Sequence, residues 1–212
     1  MYQQSLLFGM AVAAVSMAVD AAPARRSTDD TFSTPISTAI APLQNFGWDG
    51  YYAANVTVGT SANAVTLPIQ LDTGSNVFWI NGGYVNASDY ENTNFTFNIG
   101  YADGSGSFGN LYCGGFEIAG VEADAESGCF GITDASSRDG KAGMIGLMRR
   151  ESEDMVDDSF VGPLNLKSFG MYLSHVSDSN NTGTFSINGI DPAHVEGPFT
   201  VAPPPIVAHS LD

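Results

Sequence analysis

The stretch Leu67-Pro68-Ile69-Gln70-Leu71-Asp72-Thr73-Gly74-Ser75-Asn76-Val77-Phe78-Trp79-Ile80 constrains this chain more than any other. Two apolar runs, each the length of a strand, are joined by a turn that carries a carboxylate. Asp and Gly are ordinary turn residues, so Asp72-Thr73-Gly74 can be read as a polar turn and nothing more. On the other reading, Asp72 emerges from a hydrophobic core at the end of a rigid strand. Proteins place carboxylates that do chemistry at such points.

The surroundings are β throughout. Tyr51-Tyr52-Ala53-Ala54-Asn55-Val56-Thr57-Val58-Gly59 alternates apolar with small or polar residues, and Val65 to Leu71 reads as the next strand. Phe95–Ile99, Asn110–Ile118, Gly128–Thr133 and Gly183–Gly189 read as further strands between Gly-rich turns. Helix is scarce, with Arg149 to Val156 as a short candidate. Short strands at this spacing predict an all-β domain of the sandwich or barrel-like kind, without an internal repeat.

The ends differ from the middle. Leu6 to Val19 is uncharged and apolar or small, too short to span a bilayer, and Val19-Asp20-Ala21 offers residues a signal peptidase reads. Residues 1–21 are therefore expected to be a signal peptide, although no Lys or Arg precedes the apolar run. Residues 22–46, rich in Thr, Ser, Pro and Ala, read as a leader or linker. Arg25-Arg26 is either a dibasic cleavage site or a pair of exposed arginines there. Residues 47–212 are expected to hold the folded lobe. With 7 Lys+Arg against 23 Asp+Glu, the net charge of -16 repels nucleic acid and anionic membranes and suits a secreted protein soluble in acid. No later stretch is apolar and long enough for a membrane helix.

Cys113 and Cys129 flank a turn around Ala119-Gly120-Val121-Glu122 at nearly equal distances. In a hairpin they face each other, which favours a disulfide in an oxidising compartment over two free buried thiols. Sequons at Asn55, Asn86, Asn94 and Asn180 are glycosylation candidates.

Other chemistry is hard to find. Gly104-Ser105-Gly106-Ser107-Phe108-Gly109 matches G-x-G-x-x-G, but strand-like residues follow it where a dinucleotide site needs a helix. His175, His194 and His209 have no ligand spacing, so neither a metal nor a cofactor is expected. What remains is Asp72, with several motifs in order around it. These are Tyr51-Tyr52 with Val56-Thr57-Val58-Gly59-Thr60, then Asp72-Thr73-Gly74-Ser75 with Trp79 seven residues after the aspartate. Tyr101-Ala102-Asp103-Gly104-Ser105, Ala142-Gly143-Met144-Ile145-Gly146-Leu147, Phe169-Gly170-Met171-Tyr172-Leu173-Ser174 and Gly189-Ile190-Asp191-Pro192 follow. In these motifs the chain resembles the N-terminal lobe of a pepsin-type aspartic protease of the fungal secreted kind, from about Gly50 to Pro204.

The resemblance implies a pepsin-like all-β lobe acting on peptide or protein substrates as an aspartic-type endopeptidase. Asp72 would be one carboxylate of the catalytic dyad. Thr73 and Gly74 would bond the partner loop, and Ser75 would bond the outer oxygen of Asp72. Tyr101 would cover the substrate from a β-hairpin flap, its hydroxyl held by the Trp79 indole. Asp103 and Gly104, with Ser105 beside them, would meet the substrate backbone. Phe130 and Met144 would line the pocket for the residue before the scissile bond. Gln70 stands where the family usually has an apolar pocket residue, so that subsite preference does not carry over.

An aspartic protease needs two carboxylates sharing one proton, one acting as base on a water and the other as acid toward the carbonyl. These residues contain no second Asp-Thr/Ser-Gly. The chain stops where, by resemblance, a C-terminal lobe would begin. Three expectations follow: a truncated product of a protease gene, a homodimer that supplies Asp72 from each copy, or a non-catalytic peptide-binding lobe. The family's pro-segments are longer and more basic than residues 22–46, which counts against an ordinary zymogen.

Overall fold

The computed structural model describes residues 15–16, 39–47, 50–59, 63–102, 104–134, 141–148, 160–177 and 182–195. Among the described residues the chain forms thirteen strands. They are β1 (Val15–Ser16), β2 (Ala39–Asn45), β3 (Tyr52–Val58), β4 (Val65–Asp72), β5 (Phe78–Asn81), β6 (Glu91–Gly100) and β7 (Gly106–Cys113). The series continues with β8 (Phe116–Ile118), β9 (Val121–Ala123), β10 (Cys129–Thr133), β11 (Gly143–Gly146), β12 (Ser168–Tyr172) and β13 (Thr182–Ile187). Single turns of 3-10 helix lie at Ala87–Asp89 and Pro192–His194. Among the described residues no helix is long and apolar enough to cross a membrane. The helix expected over Arg149 to Val156 lies outside the described residues.

The strands run in the order β1-β12-β13-β2-β3-β4-β11-β5-β10-β7-β6, with β8 paired to β3 and β9 to β8. Most pairs are antiparallel, but β11 runs parallel to β4 and β10 parallel to β5. Strand β4 therefore lies between β3 and β11; its ladder with β3 reaches Gln70, and its ladder with β11 reaches Asp72 itself through Gly146. Central position holds a backbone rigid because its donors and acceptors are paired on both sides.

Alternation along β4 buries Leu67, Ile69 and Leu71 in the main core. Opposite them is an aromatic cluster. Phe78 meets Phe116 edge-on at 5.1 Å and Phe160 at 5.7 Å, and Phe116 stacks on Phe160 at 5.3 Å. Such ring pairs contribute about 0.5–1.5 kcal/mol each beyond their buried area.

Two sequence expectations need correction here. The segment 22–46 was expected to precede the fold, but Ala39–Asn45 is strand β2, paired to β13 and β3. Ala41 and Leu43 are buried while Pro42 and Gln44 are exposed, so the lobe takes in residues ahead of 47. Pro42 and the Ser/Thr/Pro-rich flank hid this alternation, since proline ordinarily argues against an internal strand. The single strand expected over Asn110–Ile118 is broken into β7 and β8 at Gly114–Gly115, where Gly115 has φ +75. A left-handed residue cannot continue a ladder, and glycine takes that conformation without strain. Val15–Ser16, within the stretch read as a signal peptide, pairs through its backbone with Phe169 and Ser168 of β12. The rest of that stretch, with most of 22–46, lies outside the described residues.

Candidate active site

Asp72 closes β4 and is half-buried. Its carbonyl accepts a hydrogen bond from Leu147 N at 2.8 Å, Met148 N donates to Ser75 O at 2.9 Å, and Gly146 N donates to Val77 O at 2.9 Å. Three successive amides, from the last residue of β11 onward, thus hold the loop that carries the aspartate. That clasp requires a glycine at 146: a Cβ there would lie 2.5 Å from Val77 N and 2.6 Å from Asn76 N and from the Ser75 carbonyl carbon. The carboxylate is oriented from within its own turn, where Gly74 N donates to Asp72 Oδ1 at 2.9 Å. Thr73 and Gly74 are exposed at the tip.

Ser75 departs from expectation. Its hydroxyl is buried and has no hydrogen-bond partner, so the bond expected from Ser75 to Asp72 is not made. The Gly74 amide occupies an oxygen of the carboxylate instead.

Strands β6 and β7 form an antiparallel hairpin where the flap was expected. At its tip Tyr101 N donates to Ser105 O at 2.8 Å and Gly104 N donates to Tyr101 O at 3.0 Å, with Gly104 at φ +83. Gly104 and Ser105 are exposed, and Asp103 lies outside the described residues. The buried Trp79 donates from Nε1 to Tyr101 Oη at 2.7 Å. Trp79, Phe97, Leu111 and Met144 form a second, smaller core, with Val77, Ile99 and Tyr101 packed against it. Register brings these parts together, since Met144 pairs with Gln70 on β4 and with Trp79 on β5.

Phe130 requires a further correction. It was expected to line a pocket beside Met144, yet it is fully enclosed in the main core. There it meets Tyr90 at 5.1 Å and Phe78 at 5.7 Å. Alternation along β10 explains the difference. Phe130 points to the main core, whereas a Cβ on the neighbouring Gly131 would strike the Phe97 ring of the second cluster.

Away from the loop, Cys113 on β7 and Cys129 on β10 are paired across the ladder and joined by a disulfide. Asn55, Asn86 and Asn94 are exposed, and Asn180 lies outside the described residues. Among the described residues there is no cluster of His, Cys, Asp and Glu able to hold a metal ion. The clasping amides of Leu147 and Met148 were missed in the sequence. The only signal for them was Gly146 closing an apolar run, because a backbone contact leaves no side-chain signature.

A family model described as eukaryotic aspartyl protease matches residues 51–206, well over half of the chain. The chain belongs to the eukaryotic aspartyl protease family. The match spans the clasped Asp72 loop, the hairpin carrying Tyr101 and the β12–β13 pair.

Individual relatives of this aspartyl protease lobe are distant. It is 24% identical over 183 residues to "Probable aspartic-type endopeptidase OPSB" of Arthroderma otae, covering 71% of this chain and 37% of that one. It is also 24% identical over 234 residues to "Secreted aspartic protease 1" of Candida albicans, covering 90% of this chain and 58% of the relative. The crystal structure of aspartic proteinase from Irpex lacteus shares the fold at TM-score 0.59 and 18% identity, over 74% of this chain and 50% of that one. The chain thus spans less than two thirds of the length of each, consistent with a single lobe.

Proposed function

We propose that this lobe belongs to an aspartic-type endopeptidase that hydrolyses peptide bonds in acid, with Asp72 as one of its two dyad carboxylates. The observation that carries the proposal is the Asp72 turn. The backbone of the loop that carries the aspartate is held by the amides of residues 146–148, its carboxylate accepts from Gly74 N, and Thr73 and Gly74 stay exposed beside it. Those two residues are exposed where a second loop of the same kind would meet them. A lone carboxylate cannot be base and acid in one step, so the second must come from outside these 212 residues.

A second lobe of the same protein is the favoured source, because the relatives are so much longer than this chain. Tyr101 would cover the bound peptide while Trp79 fixes its hydroxyl. Asp103, Gly104 and Ser105 would meet the substrate backbone from the flap tip, and Met144 would line the adjacent wall. Secretion fits the apolar stretch within 1–21, the acidic surface and the disulfide, and relatives carry "secreted" in their names.

The test is hydrolysis of a denatured protein at acid pH by the protein expressed from its full reading frame. A transition-state-analogue inhibitor of aspartic proteases should block it, and inhibitor-insensitive or absent hydrolysis would refute the proposal. Sedimentation under the same conditions identifies the source of the second carboxylate. An active monomer means a second lobe, and activity confined to a dimer means a second copy.

A further inference from the structure

Gln70 stands two residues before Asp72 on β4. The alternation that sends Leu67, Ile69 and Leu71 into the main core turns Pro68, Gln70 and Asp72 to the opposite face. Two residues along a strand span roughly 6.5–7 Å, so Gln70 and Asp72 leave the same face of β4 about one amino-acid side chain apart. Met144 is its cross-strand neighbour on β11, and Met144 packs with Trp79 in the cluster that supports Tyr101. Gln70 is therefore a polar residue on the strand face of Asp72, in register with Met144 of the apolar cluster that supports Tyr101.

One end of its amide is unsatisfied. The side-chain oxygen is buried and has no hydrogen-bond partner. A buried carbonyl without a donor costs on the order of 1–3 kcal/mol, and an aliphatic residue at this position would avoid that cost. Gln70 as a whole is only half-buried, and its terminal torsion is soft, so a half-turn exchanges the ends of the amide at little energy. What the folded lobe lacks is a donor for that oxygen.

We propose that Gln70 is a specificity-determining residue that pairs with a primary amide side chain, Asn or Gln, in the peptide bound against Asp72. Two primary amides satisfy each other's donor and acceptor together, which neither a hydrocarbon nor a charged group does. A site built around a hydrogen bond rejects a substrate lacking the group more strongly than an apolar pocket rejects a change of size. The enzyme would thus prefer an amide side chain next to the bond it cuts. This rests on the endopeptidase reading above.

The test uses the protein from its full reading frame and peptides that differ only in the two residues flanking the scissile bond, carrying Gln, Asn, Leu or Phe in turn. The expected result is that Gln or Asn at one flanking position raises kcat/KM over Leu by about tenfold in the wild type. The preference should reverse in Gln70→Leu and survive in Gln70→Glu, which is neutral in acid and still both donates and accepts. An unchanged ranking in Gln70→Leu, or a wild type that prefers Leu and Phe at both positions, would overturn the proposal. Should Gln70→Leu fail to fold, the wild-type ranking and Gln70→Glu still decide it. Absence of hydrolysis of every peptide by the wild type would overturn the endopeptidase reading and this inference with it, whereas hydrolysis without amide preference overturns this inference alone.

Discussion

Trp79 Nε1 donates a 2.7 Å hydrogen bond to Tyr101 Oη, tying a fully buried indole on β5 to the first residue beyond β6. The bond joins the strand that follows the Asp72 turn to the β6–β7 hairpin. Tyr101→Phe removes only the hydroxyl and leaves the indole N–H without its acceptor. Stability is expected to fall by about 1 kcal/mol in denaturant titration. Peptide hydrolysis is expected to fall by roughly tenfold in kcat/KM, because a mispositioned flap costs orientation. Unchanged hydrolysis would show that the tie is structural only.

Gly146→Ala forces a methyl group into the amides of Asn76 and Val77, to which the loop has no room to yield. Overpacking of this kind costs about 1–3 kcal/mol. Thermal unfolding should register it, with activity falling further than stability accounts for, since the displaced backbone carries Asp72.

The Cys113–Cys129 disulfide joins β7 to β10 across a sequence separation of 16. A closed loop of that length is worth about 3 kcal/mol through the unfolded chain. The double replacement Cys113→Ala, Cys129→Ala should therefore lower Tm measurably, and reduction of the wild type should reproduce the shift.

Asp124, exposed in the turn before β10, is held below the ordinary carboxylate range. The backbone N–H of Ser127 is the main cause, followed by the Ser127 hydroxyl, with the Glu126 amide adding a smaller share. A depressed folded pKa means stabilisation that is present above the unfolded value and lost as pH falls through the folded one. Asp124→Ala should therefore unfold below the wild-type Tm near neutrality, and the gap should close on acidification past the ordinary aspartate range. A gap constant across that range would contradict the assignment.

The fold class was legible because period-two alternation and Gly-rich turns survive in a single sequence, as from Val65 to Leu71. The disulfide was legible for the same reason, since the turn at Ala119–Gly120 places both cysteines symmetrically. Strand β2 was hidden because its pattern is interrupted by Pro42 and its partner β13 is far along the chain. Phe160, Val161, Leu164 and Leu166 are buried core residues in a turn, where no periodicity marks them. Asp72, Trp79 and Tyr101 were nominated by motifs. The sidedness of Phe130 and the unpaired state of the Ser75 hydroxyl depend on register and rotamer, which motifs do not encode.

The most direct measurement is acid hydrolysis of a peptide by the full-length protein and by its Asp72→Asn variant, with folding checked by circular dichroism. Asparagine keeps the size of the side chain and an acceptor for the Gly74 amide, so the turn should persist. If Asp72 is half of the catalytic pair, kcat falls by roughly 10²–10⁴-fold while the fold is retained. A folded Asp72→Asn variant that hydrolyses the peptide at the wild-type rate would contradict the account.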